Sequence, residues 1–157
     1  MYKQYSYLIF GFILFSLFTG CSKKNLIQTY VKPVTTSVSA SGIIYLTSNG
    51  YGTNKRSAIE EAKRNAVRAV LFDGIPGSKL KRPLVNQPGA RSTNRAYFDA
   101  FFAPGGSYND FVNVQKSDPT KCIKVGGGRQ EAIFVELNYL SLQRELESAG
   151  IIEKFGI

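Results

Sequence analysis

The sequence predicts an α+β fold: a small mixed or antiparallel sheet of three to four strands with helices on one face. Three observations predict it: an alternating apolar run that begins near Ile43, an amphipathic helix pattern directly after it, and two alternating runs around a triple glycine, followed by a second helix pattern. The predicted order is β-α-(aromatic insertion)-β-β-α. Since 43% of the residues are hydrophobic and 13% are aromatic, the composition is that of a folded chain. We expect one domain over residues 41–157.

The first strand and helix form the most regular part of the sequence. Residues 43–48 alternate as a half-buried strand does, and the run ends at Asn49-Gly50. A helix then extends to about Phe72, capped either by Asn54 or by Ser57 with Glu60 in a capping box. Its apolar face is rich in alanine, which allows close approach to a sheet, and comprises Ala58, Ile59, Ala62, Ala66, Ala69 and Val70. The opposite face is predicted to be solvated and carries Lys55, Arg56, Glu60, Glu61, Lys63, Arg64 and Arg68.

An insertion is predicted at about residues 78–118. Its first part is irregular and basic, with no acidic residue between Asp73 and Asp99. Loops of this length are commonly functional, so we interpret the basic residues as a candidate partner contact. A solvated loop whose charges bind nothing remains the alternative. Phe98, Phe101 and Phe102 have helical spacing and predict a short helix that packs the insertion on the domain. The candidate contact residues are Lys79, Lys81, Arg82, Arg91 and Arg95.

The last third predicts a β-hairpin and a helix. Two alternating runs, residues 122–125 and 131–137, flank the glycines at 126–128. A phosphate-binding loop would lead into a helix and carry Lys-Ser/Thr, and neither occurs here. Asn138 then caps a helix that buries Leu142 and Leu146, and the chain after Gly150 is predicted to pack back on the domain as a short strand or an apolar tail.

The N-terminus resembles the signal of bacterial lipoproteins. A short charged start and an apolar run too short to span a bilayer precede Thr19-Gly20-Cys21. This run resembles the lipobox recognised by lipoprotein signal peptidase, although Phe18 departs from the commonest residues. The resemblance implies a signal peptide over residues 1–20, cleavage between Gly20 and Cys21, and a lipid anchor on Cys21. Residues 21–40 are polar and predict a tether, and Ser22, by the enterobacterial sorting rule, points to the periplasmic face of the outer membrane.

The titratable residues argue against catalysis. The chain has no histidine and two cysteines, so papain-like and common zinc sites are excluded. With Cys21 lipidated, Cys122 is alone, either as a half-buried strand residue or in an intermolecular disulfide. Two pairs of glutamates are poorly placed to act as acid and base. Glu60 and Glu61 are adjacent on a helix and point in different directions, and Glu131 and Glu136 are five apart on a strand and face opposite sides. We therefore predict a protein that is not an enzyme and has no cofactor or metal.

Two further resemblances concern the folded part. The strand with its alanine-rich helix resembles envelope lipoprotein domains of the flagellar T-ring N-terminal type. The chain is also similar to a Bacteroidota lipoprotein family encoded with type VI secretion systems. The similar segments are residues 72–78, the aromatic pairs before Gly105-Gly106 and the ending at 154–156. This similarity implies a non-catalytic component of an envelope-spanning machine, with other envelope proteins as partners. The alternative is a tethered periplasmic binding module for glycan, lipid or peptide. The net charge of +9 favours acidic partners, but nucleic acid is not expected in the envelope and no nucleic-acid module is recognisable.

Overall fold

A computed structural model describes residues 29–34, 39 and 41–154 of the chain. The fold is α+β, as predicted, with four antiparallel strands in the order β1-β2-β4-β3. The predicted signal peptide, Cys21 and the end of the C-terminal tail lie outside the described residues. The strands are β1 Val31–Pro33, β2 Ile43–Gly52, β3 Val112–Val125 and β4 Gly128–Asn138.

The helices follow the predicted order. The long predicted helix is α1, Lys55–Arg68, and continues as a π-helical turn, Ala69–Asp73. Its cap is Asn54, whose Oδ1 accepts from the Ser57 amide at 3.0 Å, while Ser57 Oγ accepts from the Asn54 amide at 3.1 Å. Asn54 is therefore the cap, and Ser57 is the third helical residue of the box. The others are α2 Ala90–Thr93, α3 Arg95–Phe101, a 3₁₀ helix Ser107–Phe111 and α4 Tyr139–Ser148.

One face of the sheet carries the core. Ile44 pairs with Leu137 and Leu46 with Val135, and all four side chains are fully buried. Tyr45, Phe134 and Glu136, at positions next to them in the strands, are only half-buried. Because the same apolar cluster takes residues from every helix, the helices lie together on this face. The helical members include Ala62, Ala66, Val67, Ala90, Phe98, Phe101, Leu142 and Leu146.

Helix α1 approaches the sheet at backbone distance. A Cβ added to Gly50 would lie 2.2 Å from the Ala62 amide nitrogen, so only glycine fits there. Next to it, the buried Ser48 hydroxyl donates to the Ala62 carbonyl oxygen at 2.8 Å. The alanines of α1 that were predicted to face the sheet allow this close approach of the two backbones. The hydrogen bond satisfies the buried Ser48 hydroxyl.

The boundaries of two predicted regions differ from the structure. Strand β1 lies inside the predicted tether at 21–40, where Val31 pairs with Ser48 and Pro33 with Leu46. The folded part therefore begins before Ser41. The insertion ends sooner than predicted, because β3 already begins at Val112. Strand β3 also has two register shifts, so its sequence does not alternate over its whole length.

The C-terminal third agrees closely with the prediction. Gly126 and Gly127 have φ values of 44° and 81° and form the two-residue turn between β3 and β4. Asn138 caps α4 by accepting from the Ser141 amide at 3.0 Å. Ile151 and Ile152 are buried after the helix ends, in bends rather than in a strand. Among the described helices, none has the length and apolar character needed to cross a membrane.

Candidate functional site

An aromatic layer fixes the insertion on the domain. Phe72, from the π-helical turn, lies edge to face with Phe98 of α3 at a centroid distance of 5.0 Å. Phe101 and Phe102 are 4.9 Å apart in the same type of contact, and Phe102 lies 6.0 Å from Tyr108. The phenylalanines with helical spacing therefore pack the insertion on the domain, as predicted, because aromatic pairs at these distances stabilise each other.

Above this layer lies a cavity of about 270 Å³, which we call the guanidinium cavity. Arg91 Cζ lies 4.7 Å from the centroid of the Phe72 ring, and Arg68 Cζ lies 5.1 Å from that of Phe102. Both distances are within the range of cation–π attraction, which holds a guanidinium over a ring without using its N–H donors on an oxygen. The lining residues of the cavity are Arg68, Arg91, Arg95, Phe98, Asp99 and Phe102.

Positive charge is in excess around the guanidinium cavity. Its own carboxylate, Asp99, is 3.4 Å from Arg95 Nε, and the two side chains are 71% and 83% exposed. Such an exposed pair is weak. Glu61 accepts from Arg68 at 2.9 Å but also from Arg64 at 2.8 Å, so one carboxylate is shared by two guanidinium groups. Arg91 makes no ion pair with any residue in the described part of the chain.

The structure divides the predicted contact residues into two groups. Arg91 and Arg95 line the guanidinium cavity, and both are exposed. The other three, Lys79, Lys81 and Arg82, are exposed but do not line this cavity. They precede α2 in the irregular segment after the π-helical turn. The predicted five-residue contact is therefore two separate groups, of which one is built on an aromatic support.

Arg68 is the site residue that the sequence analysis missed. It was assigned to the solvated face of the long helix together with the other charged residues. The partner ring of Arg68, Phe102, comes from another element, and no local pattern relates the two.

A second polar cluster ties the insertion to α1. Glu60 Oε2 accepts from the buried Tyr108 hydroxyl at 2.9 Å, and Lys63 bonds to both Glu60 and Asn109. Burial, and then the hydrogen bond to Glu60, raise the pKa of Tyr108. Lys63 is only 15% exposed, so its predicted place on the solvated face of the helix is wrong. Since every member has a partner, this cluster is structural.

Cys122 belongs to a third cluster at the far end of the sheet. Its thiol lies 2.7 Å from Arg129 Nη2 and donates to Glu131 Oε1 at 3.3 Å. Glu131 is buried and forms an ion pair with Arg129, which satisfies the charge of its carboxylate. The half-burial of Cys122 fits the predicted strand residue.

The carboxylate pairs do not form acid/base dyads. Glu60 and Glu61 bond to different partners, and Glu136 accepts from Gln115 on the sheet face opposite to Glu131. Among the described residues, no group of three His, Cys, Asp or Glu side chains is placed to hold a metal ion.

Comparison of the chain with protein-family models, with curated proteins and with solved structures finds no match in any of the three.

Proposed function

We propose that this chain is a lipid-anchored, non-catalytic component of an envelope-spanning secretion assembly of the type VI kind. In this proposal Cys21 carries the anchor, the domain faces the periplasm from the outer membrane, and the guanidinium cavity binds an acidic partner protein. The observation that carries the binding proposal is the convergence of Arg68, Arg91 and Arg95 on one cavity with a single carboxylate, Asp99, in its wall.

The physical argument concerns like charges at close range. Guanidinium groups that share one cavity repel each other, and a carboxylate from a partner relieves this repulsion while forming charge-assisted hydrogen bonds. Arginine on an aromatic support is also a frequent energetic centre of protein interfaces, because ordering it costs little once the ring holds it. Arg91 over Phe72 has this form.

Charge reversal with a matched control tests the proposal. The full chain is produced in its native envelope either as Arg91→Glu/Arg95→Glu or as Lys79→Glu/Lys81→Glu, so that both variants lose the same charge. We expect the first variant to lose its co-purifying envelope proteins while it remains in the outer-membrane fraction. The second should retain most of them, because Lys79 and Lys81 do not line the cavity.

Folding must be preserved for this comparison, and all four side chains are exposed. Substitutions at exposed sites usually change stability by at most about 0.5 kcal/mol. If both variants retained the wild-type set of partners, the domain would not act through the guanidinium cavity. Equal loss from both would mean that net charge, rather than this cavity, holds the partner.

A tethered binding module for glycan, lipid or peptide is the second candidate function. The volume of the cavity, near the lower end of the range for small-molecule sites, and the Phe98 and Phe102 rings in its wall favour it. The same variants distinguish the two functions. A module of this kind would lose affinity for isolated envelope polymers, while the assembly would still contain the Arg91→Glu/Arg95→Glu chain.

A further inference from the structure

We propose that the guanidinium cavity recognises a side-chain carboxylate from an Asp- or Glu-rich partner segment, and that this carboxylate displaces Asp99 from Arg95. The inference rests on the proposed function and gives the chemistry of its ligand. Asp99 is then an internal competitor for the site, one helical turn from the arginine that it occupies.

The first step of the argument is that Arg91 has unused donors. Its guanidinium lies over the Phe72 ring, and no described residue accepts a hydrogen bond from it or pairs with its charge. Because the ring restrains the side chain, less rotamer entropy remains to be lost when an anion binds. A carboxylate in the cavity can accept two parallel hydrogen bonds from the Arg91 guanidinium, the bidentate geometry that arginine favours.

The second step is that the contact between Asp99 and Arg95 is easily exchanged. The distance of 3.4 Å from Oδ2 to Nε exceeds that of a charge-assisted hydrogen bond, about 2.7–2.9 Å. Both side chains are largely exposed and α3 has only seven residues, so the pair is not held by packing. A partner carboxylate that contacts both Arg91 and Arg95 would replace this one weak contact with two.

The third step concerns the apolar part of the ligand. The apolar walls of Phe98 and Phe102 suit the methylene groups of a glutamate side chain. Arg95 projects into solvent, so a side chain carried on another protein can reach the site.

The test uses the full chain in detergent and a fluorescent hexaglutamate peptide at physiological salt. We expect saturable binding that weakens about tenfold or more in Arg91→Gln/Arg95→Gln. The matched variant Lys79→Gln/Lys81→Gln loses the same charge outside the cavity. It should change the affinity less than twofold, because Lys79 and Lys81 do not line the cavity.

Asp99→Asn is the decisive variant, because it removes the competitor and keeps the size of the side chain. Affinity for hexaglutamate should rise about two- to fivefold, the range expected for an exposed ion pair. Unchanged or weaker binding would overturn the proposed displacement. Equal weakening by the two Gln double variants would overturn carboxylate recognition in the cavity.

Failure of this inference is distinguishable from failure of the proposed function. If hexaglutamate does not bind but co-purification still requires Arg91 and Arg95, the ligand is not a carboxylate and the proposed function stands. If the peptide binds as expected but co-purification does not depend on these residues, the proposed function is overturned.

Discussion

At the scale of single residues, Tyr97 shows what burial does to a titratable group. Its ring stacks on Phe101 at 5.8 Å and meets Phe98 edge to face at 5.3 Å. Burial in this layer, together with the nearby Glu145 carboxylate, raises the pKa of Tyr97 to about 12 from its usual value of 10. The folded chain therefore holds this proton at a pH where the unfolded chain has released it.

The consequence is a loss of stability in alkali. Between pH 10 and pH 12 the unfolded state binds fewer protons at Tyr97, so the free energy of unfolding falls as the pH rises. We expect Tyr97→Phe to lack this part of the dependence, so that its stability relative to wild type improves from pH 9 to pH 11.5 in urea titrations. A constant difference between the two proteins over this range would show that Tyr97 titrates alike in both states.

Residue identity also limits what could be predicted of the candidate site. Arg91 and Arg95 could be proposed from sequence because no acid accompanies them between Asp73 and Asp99. Arg68 could not be separated from the other helix charges, because its place depends on Phe102, which only the tertiary fold brings near. Local charge patterns therefore predicted part of the cavity, but not which basic residues share it.

At the scale of elements, the contact between α1 and β2 depends on Gly50. Replacement by alanine places a methyl group against the backbone at Ala62, so the helix and the strand would have to move apart. We expect Gly50→Ala to lower the free energy of unfolding by about 1–3 kcal/mol or more, through overpacking. Lys55→Ala, at an exposed position of the same helix, should stay within about 0.5 kcal/mol. Urea denaturation measures both, and equal stability would contradict this account of the contact.

The elements that could be predicted are those whose signals are local. Alternation identified β2 and the β3–β4 hairpin, and the cap with its apolar face identified α1 and α4. Strand β1 has only three residues and includes Pro33, so its structure depends on pairing with β2 rather than on its own pattern. The length of β3 was hidden by register shifts near Lys116 and between Asp118 and Ile123, which break the alternation.

At the scale of the whole molecule, β1 shortens the proposed tether. From Cys21 to Val31 the chain spans at most roughly 33–36 Å, about half of the reach to Ser41. If Cys21 carries the lipid, the sheet edge at β1 must stay within this distance of the bilayer. The domain is then restricted to partners close to the membrane surface.

Anchoring itself is tested by Cys21→Ser, because the proposed lipid anchor is attached to the Cys21 thiol. We expect the variant to remain as an uncleaved precursor or to disappear from the outer-membrane fraction. Cys122→Ser is the matched control and should be processed and located as the wild type. Fractionation with immunoblotting measures both. Normal processing and membrane retention of Cys21→Ser would show that the N-terminus is not a lipoprotein signal.

The proposed function requires an acidic partner segment at the guanidinium cavity, and photo-cross-linking in intact cells tests this most directly. A photo-reactive amino acid is placed at Ser92, which is exposed beside Arg91, and at Lys124, an exposed control position in β3. We expect adducts from position 92 to contain a partner peptide rich in Asp and Glu, and to disappear when Arg91→Glu/Arg95→Glu is added. Adducts without acidic residues, or adducts that persist in the charge-reversed chain, would contradict binding of an acidic partner at the guanidinium cavity.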